Sequence, residues 1–183
     1  VLGYLRNADR ARYHSELDRF KNGKLRLHVR YLLIDFLGHV SNPDESESLF
    51  LGDWLLNSED GQRVLIAIRD REPWFWALYR TKLPSAMRWP ISNSWPIVGI
   101  ISAAWSFARK ECLALVRDHW FPDTSKDELL CRSLLDLKVW DEETVDMLCS
   151  LIHRTSTSED RLWWAESLTY SVSESQPELA AKV

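Results

Sequence analysis

Glycine and cysteine are scarce in this chain, and their placement excludes several kinds of site. The 183 residues include six glycines, and none of them begins a Gly-Lys-Ser or Gly-Lys-Thr sequence. A phosphate-binding loop needs such a sequence, because backbone N–H groups next to glycines surround the anion. The three cysteines form no CxxC pair, and no histidine pairs with a cysteine at the spacing of a zinc site. We therefore expect no cofactor and no metal ion.

Long apolar runs are also missing. The longest apolar-rich stretch, residues 96–107, is broken by Gly99, Ser102 and Ser106, and it is shorter than the roughly 18 residues that a membrane span requires. The first residues lack the pattern of a signal peptide, so we expect none. We therefore expect no membrane partner and a cytoplasmic location. Three cysteines, an odd number, within apolar helical faces are typical of buried free thiols in a reducing compartment.

The charges are unevenly distributed along the chain. The net charge is −4, yet residues 1–32 are basic and the residues from 123 onward are acidic. A basic end can meet nucleic acid or an acidic neighbour. Since these cations alternate with apolar residues, we expect them on a solvated helix face, and an acidic remainder would repel a phosphate backbone. The cations concerned are Arg6, Arg10, Arg12, Arg19, Lys21, Lys24, Arg26 and Arg30.

Tryptophan is abundant, with ten residues spread through the chain. Such spacing favours large side chains that pack between helices in the core. The alternative is stacking on bases or sugars, which would need several tryptophans on one exposed surface.

The clearest single element is a helix that begins after Asp141. Asp141 lies at the N-cap, where its carboxylate can accept from the backbone N–H of Thr144. Trp140 and Val145 have the spacing of a hydrophobic staple across this cap. An amphipathic stripe follows, formed by Val145, Leu148, Leu151 and Ile152.

Helical spacing recurs elsewhere, whereas no stretch shows the sustained alternation of a strand. The fold class is therefore predicted as all-α. The other predicted helices cover residues 4–21, 25–40, 44–56, a segment capped by Ser58, a segment begun by Pro73, a short turn around Met87 and Trp89, 97–107 capped by Ser94, 110–120, 127–137, 159–170 capped by Ser158, and a last one from 175.

Corresponding positions in these helices recur at a nearly constant interval. Cys112, Val145 and Leu179 follow one another at about 33–34 residues, a period within the range of helical repeats. We therefore predict antiparallel helix pairs stacked as a short α-solenoid of about 33–36 residues per repeat. It would form one helical-repeat domain over residues 1–183, clearest over 95–183. Neither end supplies a polar cap, so we expect a segment of a longer protein.

The segment over residues 95–183 resembles HEAT-type and TPR-type helical repeats in its architecture. The strings RYLLIDFLG (residues 30–38), LALVRDHW (113–120) and LLDLKVWDEE (134–143) resemble the degenerate repeats that follow the nucleotide-binding domain of large bacterial STAND proteins of NACHT or AAA type. In that family the repeats sense a ligand and restrain the NTPase. The resemblance implies a sensor or regulatory arm, and it carries over no catalytic residue.

The sequence thus predicts a non-catalytic scaffold that binds another protein or another domain of its parent chain. Inner helices of a solenoid carry its contacts, which makes Arg132, Arg161 and Trp164 candidate partner-binding residues. Two alternatives stay open: a nucleic-acid-binding domain that uses the basic N-terminal residues, and a helical enzyme with an unrecognised site. Local features of the enzyme alternative are Cys149 with His153 at i, i+4, and Glu166 beside two tryptophans.

The packing of the helix after Asp141 is testable by truncation of its stripe. Replacing Leu148 with Ala should lower the free energy of unfolding by about 2–5 kcal/mol, because a core contact is lost and a cavity remains. Denaturant unfolding measures this change. A loss well below about 1 kcal/mol would show that this helix does not pack as predicted.

Overall fold

The computed structural model describes residues 1–55, 60–88, 95–137, 140–154 and 158–180. Within these ranges the chain is helical without a β-strand, which confirms the predicted all-α class. Contacts group the chain into two compact units, Val1–Phe107 (unit 1) and Ala108–Val183 (unit 2), each described here by itself. The single helical-repeat domain stays a prediction. No helix in the described ranges combines the length and hydropathy needed to cross a membrane.

Unit 1 contains eight described helices. In this unit, a helix often contacts the next helix but one in chain order. α2 contacts α4, α4 contacts α6, and α3 contacts α5, while α5 and α6 both contact α8. The helices are α1 Leu2–Ala8, α2 Arg10–Asn22, α3 Leu27–Gly38, α4 Glu45–Leu55, α5 Gly61–Ile68, α6 Glu72–Thr81, α7 Leu83–Ala86 and α8 Trp95–Ala104.

The first predicted helix, residues 4–21, is wrong as a continuous element. Asp9 separates α1 from α2, with φ −149° and ψ 84°. Its carboxylate accepts a hydrogen bond from the Arg12 backbone N–H at 3.0 Å, which caps α2. Short acidic side chains compete with helical hydrogen bonding in this way, so Asp9 ends one helix and begins the next.

The core of unit 1 takes side chains from all its longer helices. These include Tyr13, Leu17, Leu33, Ile34, Leu37, Phe50, Leu51, Leu55, Val64, Ile68, Trp74 and Leu78. Not every apolar residue of α3 is among them: Leu32 is 67% exposed, whereas Ile34 is fully buried. The cause is that α3 carries apolar residues on most of its circumference, so periodicity alone does not select the inward face.

Several helix boundaries differ from the sequence-based ranges. The short helix expected around Met87 instead precedes it, as α7, and α8 ends at Ala104, three residues before the predicted end. Trp89 and the predicted caps Ser58 and Ser94 lie outside the described residues.

Unit 2 is built around α12, which contacts α10, α11 and α13. After α9, one π-helical turn lets the Phe121 N–H donate to the Val116 carbonyl at 2.8 Å. The elements are α9 Arg109–Leu115, the π turn Val116–Trp120, a 3₁₀ turn Thr124–Lys126, α10 Asp127–Leu137, α11 Glu142–Arg154, α12 Ser158–Ser175 and α13 Pro177–Ala180.

The local prediction for α11 is confirmed. The Asp141 carboxylate accepts from the Thr144 backbone N–H at 2.8 Å and from the Thr144 hydroxyl at 2.7 Å. The predicted stripe is buried along its length, and Leu148 is only 1% exposed. The N-cap and the buried stripe therefore both stabilise α11, as its sequence pattern predicts.

Most described tryptophans belong to the core, in agreement with the first of the two interpretations above. Five are buried, whereas Trp163 is 56% exposed. The buried five are Trp74, Trp105, Trp120, Trp140 and Trp164.

Gly52 allows α4 to approach the chain at the end of α6. A Cβ atom at this position would lie 2.5 Å from Cγ and 3.0 Å from Cβ of Lys82, and 3.3 Å from Cδ2 of Leu78. These atoms belong to the inner part of a side chain and to a buried leucine, so neither moves away at low cost. The absence of a side chain is thus a packing requirement here.

Replacing Gly52 with Ala should destabilise the protein although alanine is the better helix former. Overpacking costs about 1–3 kcal/mol, and alanine recovers about 1 kcal/mol of helix propensity. We expect a net loss of up to about 2 kcal/mol in thermal or denaturant unfolding.

The matched control is Gly3→Ala in α1, where the nearest atom to a new Cβ is Phe36 Cε2 at an ordinary 3.5 Å. This variant should be neutral or slightly stabilising. Equal effects of the two substitutions would contradict the packing argument.

Candidate interaction site

The basic N-terminal residues are largely engaged within unit 1. At least five of the eight cations in residues 1–32 pair with carboxylates of the same unit. The pairs are Arg6–Glu47, Arg10–Asp44, Arg19–Glu16, Lys21–Asp53 and Arg30–Asp60. This pairing reduces the positive charge that a phosphate backbone would meet.

Glu47 is the centre of these interactions, and its side chain is fully buried. Its carboxylate accepts from Arg6 Nε at 2.6 Å, from Arg6 Nη2 at 3.1 Å and from the Tyr13 hydroxyl at 2.8 Å. The Asp44 backbone N–H donates to it as well, at 2.8 Å. Glu47 therefore joins α1, α2 and the N-terminus of α4, and its hydrogen-bonding capacity is well used.

The same cluster shifts the titration of its members. The hydrogen bond to Glu47 raises the pKa of Arg6, and burial raises the pKa of Tyr13. For Asp44, burial raises the pKa, but hydrogen bonds from the Glu47 backbone N–H and from His14 outweigh burial and lower it overall. Arg6 and Asp44 therefore keep their charges and Tyr13 stays neutral, so the three groups form a structural network.

The thiols of unit 2 are poor nucleophiles. Burial raises the pKa of Cys112 and of Cys131 to about 12, and burial also raises the pKa of Cys149. The thiolate is the reactive form of cysteine, so all three stay protonated near neutral pH. All three are free thiols.

The three candidate partner-binding residues lie in different settings. Arg132 is exposed and pairs with Glu128 one turn earlier at 3.0 Å. Arg161 is exposed near the start of α12. Trp164 is buried, with 6% of its surface accessible, so its indole belongs to the core of unit 2.

Trp163, which precedes Trp164 in the chain, faces solvent. Leu162, Trp163 and Tyr170 are 62%, 56% and 66% exposed. Leu168 and Val172 are fully buried, which places Trp163 and Tyr170 on the opposite side of the helix. Glu166 is exposed between them. We call Trp163, Glu166 and Tyr170 the α12 row.

Both aromatic side chains of the α12 row are held by neighbours. The ring of Trp163 meets that of Trp164 edge-on, with centroids 4.5 Å apart and an interplanar angle of 77°. The Tyr170 hydroxyl hydrogen-bonds to the Glu174 carboxylate, which raises the pKa of Tyr170.

Other exposed apolar residues are more scattered. Tyr4, Leu32 and Ile66 lie on α1, α3 and α5. Between these helices are two open clefts of about 500 and 480 Å³ that share Asp35 and His39. Single exposed aliphatic residues are ordinary on protein surfaces, so this region is the weaker candidate.

A third cleft, of about 660 Å³, lies in unit 2 between the start of α11 and α13. Asp141, Glu142 and Glu178 line it, together with Pro177 and Leu179. Asp141 already accepts from Thr144 and pairs with Arg109. The described residues contain no group of three or more histidine, cysteine or acidic side chains able to hold a metal ion.

No family model, no curated protein and no solved structure matches this chain.

Sequence reasoning missed the α12 row because it chose Trp164 as a contact residue without deciding which of the two adjacent tryptophans faces inward. A helical projection of α12 would have shown which residues share its outer face. If Leu168 and Val172 are inward, then Trp163, Glu166 and Tyr170 fall within an arc of about 60° on the opposite side.

The network around Glu47 generates a stability test. In Glu47→Gln the amide cannot neutralise Arg6, so we expect the free energy of unfolding to fall by about 2–4 kcal/mol. This range is near the lower end for breaking a buried pair, because Arg6 keeps some access to water.

Denaturant unfolding of Glu47→Gln should be compared with that of Glu45→Gln, an exposed position on the same helix. The control should change stability by less than about 0.5 kcal/mol. Similar losses in both variants would show that the Glu47 network does not anchor α1 and α2.

Proposed function

We propose that this chain is a non-catalytic helical scaffold that binds another protein, or another domain of its parent chain, through the α12 row. The observation that carries this proposal is the exposure of Trp163 and Tyr170 on the side of α12 opposite its core contacts. Tryptophan and tyrosine dominate the binding energy of protein interfaces, because they bury large areas at low entropic cost.

The scaffold is proposed to be a short α-solenoid, similar to HEAT and TPR repeats. Two observations support it: the spacing of about 33–34 residues between equivalent apolar positions, and the contacts between helices two positions apart in unit 1. A sensor or regulatory arm of a STAND-type NTPase is the specific role that the resemblance in residues 30–38, 113–120 and 134–143 favours. The free, protonated thiols favour a reducing compartment such as the cytoplasm.

The alternatives have less support. A nucleic-acid-binding surface at the N-terminus would have to use cations that already pair with carboxylates. An enzyme that uses Cys149 would need a lowered thiol pKa, whereas burial raises it. Glu166 and Trp163 lie exposed on one helix face and do not form the deep polar cleft of a glycosidase.

The test is affinity capture of partners with the immobilised chain after nuclease treatment, read by quantitative mass spectrometry. A protein retained by the wild type should be lost with Trp163→Ala/Tyr170→Ala, because the double variant removes both aromatic contacts. The matched control is Tyr4→Ala, which removes an aromatic residue that is 75% exposed in unit 1.

Retention that is unchanged in the double variant would contradict the proposed site. Retention of nucleic acid in the absence of nuclease, with affinity falling steeply as salt rises, would favour the nucleic-acid alternative.

A further inference from the structure

We propose that the α12 row receives an arginine of the partner, presented between apolar side chains. The partner's guanidinium would lie over the Trp163 indole and pair with the Glu166 carboxylate, while its apolar neighbours cover Tyr170 and Leu162. This inference rests on the proposed function and specifies the chemistry of its partner.

The protein already contains this arrangement twice: one of its own arginines lies over an aromatic ring and pairs with a carboxylate. Arg63 lies over the Tyr31 ring at 4.2 Å and donates to the Asp35 carboxylate at 2.8 Å. Tyr31 and Asp35 are four residues apart on α3, so one helix face supplies both the aromatic ring and the anion. An arginine therefore satisfies both groups at once.

The second internal case lies in unit 2. Arg154 lies over the Phe121 ring at 4.4 Å and donates to the Asp127 carboxylate at 2.6 Å. A planar guanidinium stacks on an aromatic face and still presents N–H groups in its plane to a carboxylate, which an ammonium group cannot do equally well.

The α12 row offers these groups on a surface open to solvent. Glu166 follows Trp163 by three residues and precedes Tyr170 by four, so the carboxylate has an aromatic side chain about one helical turn away on either side. Trp163 and Tyr170 are separated by about 10.5 Å along the helix axis. An extended or helical segment can thus place a cation at Glu166 and apolar side chains on the aromatics.

The charge of unit 2 favours a basic partner. Residues 108–183 contain nine lysines and arginines against fifteen acidic residues, a net charge of −6. An acidic segment would meet repulsion from the whole unit as well as from Glu166, whereas a basic segment would be attracted.

The row is also organised in advance. Edge-on contact with Trp164 restricts the Trp163 ring, and the hydrogen bond to Glu174 restricts Tyr170. Side chains that are already ordered lose less entropy when a partner binds, which improves affinity without additional contacts.

The probe is an acetylated and amidated peptide of fourteen residues with a leucine stripe and one central arginine. A matched peptide carries citrulline, the neutral analogue of arginine, at the same position. Binding is measured by calorimetry and by the NMR signal of the Trp163 indole N–H, assigned with Trp163→Phe. We expect the arginine peptide to bind about tenfold more tightly than the citrulline peptide.

The variant Glu166→Gln should weaken binding of the arginine peptide about five- to tenfold and leave binding of the citrulline peptide nearly unchanged. The control Asp146→Asn removes an exposed carboxylate of α11 and should leave both affinities unchanged. The proposed contact predicts that the preference for the arginine peptide is lost in Glu166→Gln and kept in Asp146→Asn. A general effect of the protein's charge would reduce this preference in both variants.

Equal affinity of the two peptides, an arginine preference that persists in Glu166→Gln, or no shift of the Trp163 signal by either peptide at millimolar concentration would overturn this inference. Each of these results is separable from failure of the proposed function. A captured protein that depends on Trp163 and Tyr170 would still support a binding scaffold, with a partner chemistry other than arginine.

Discussion

The structure depends on burial of apolar stripes between helices that are too short to be stable by themselves. Apart from α12, the described helices have thirteen residues or fewer. Isolated helices of this length are marginal in water, so their stability comes from tertiary packing. This explains why large side chains such as Trp74 and Trp120 are fully enclosed, and why Gly52 leaves no space for even one methyl group. The longest described helix, α12, has eighteen residues, and its outer face carries the exposed aromatic residues Trp163 and Tyr170.

Charged groups inside unit 1 follow from the same constraint. Once α1 and α2 pack on α4, the Glu47 carboxylate is removed from water, and a buried anion is tolerated only with complete partners. Arg6, Tyr13 and the Asp44 backbone N–H supply them. Four of the basic N-terminal residues are therefore paired with acidic residues that lie 30 to 41 positions later in the chain.

The proposed contact is of a type that the protein already contains within each unit. Arg63 and Arg154 each join an aromatic ring to a carboxylate within one unit. The α12 row presents an aromatic and acidic surface of the same composition to solvent. A scaffold that binds through such a row would recognise a basic partner by charge and position it by stacking.

The sequence alone determined the features that depend on residues a few positions apart. The cap at Asp141, the buried stripe from Val145 to Ile152 and the helical class are local, because caps and amphipathic periodicity arise within one or two turns. The tertiary structure decided the rest. It exposed Leu32, buried Trp164 instead of Trp163, and paired Arg6 with Glu47 across 41 residues. Which side of a widely apolar helix faces inward, and which charge meets which, depends on neighbours distant in the chain, and no local pattern encodes them.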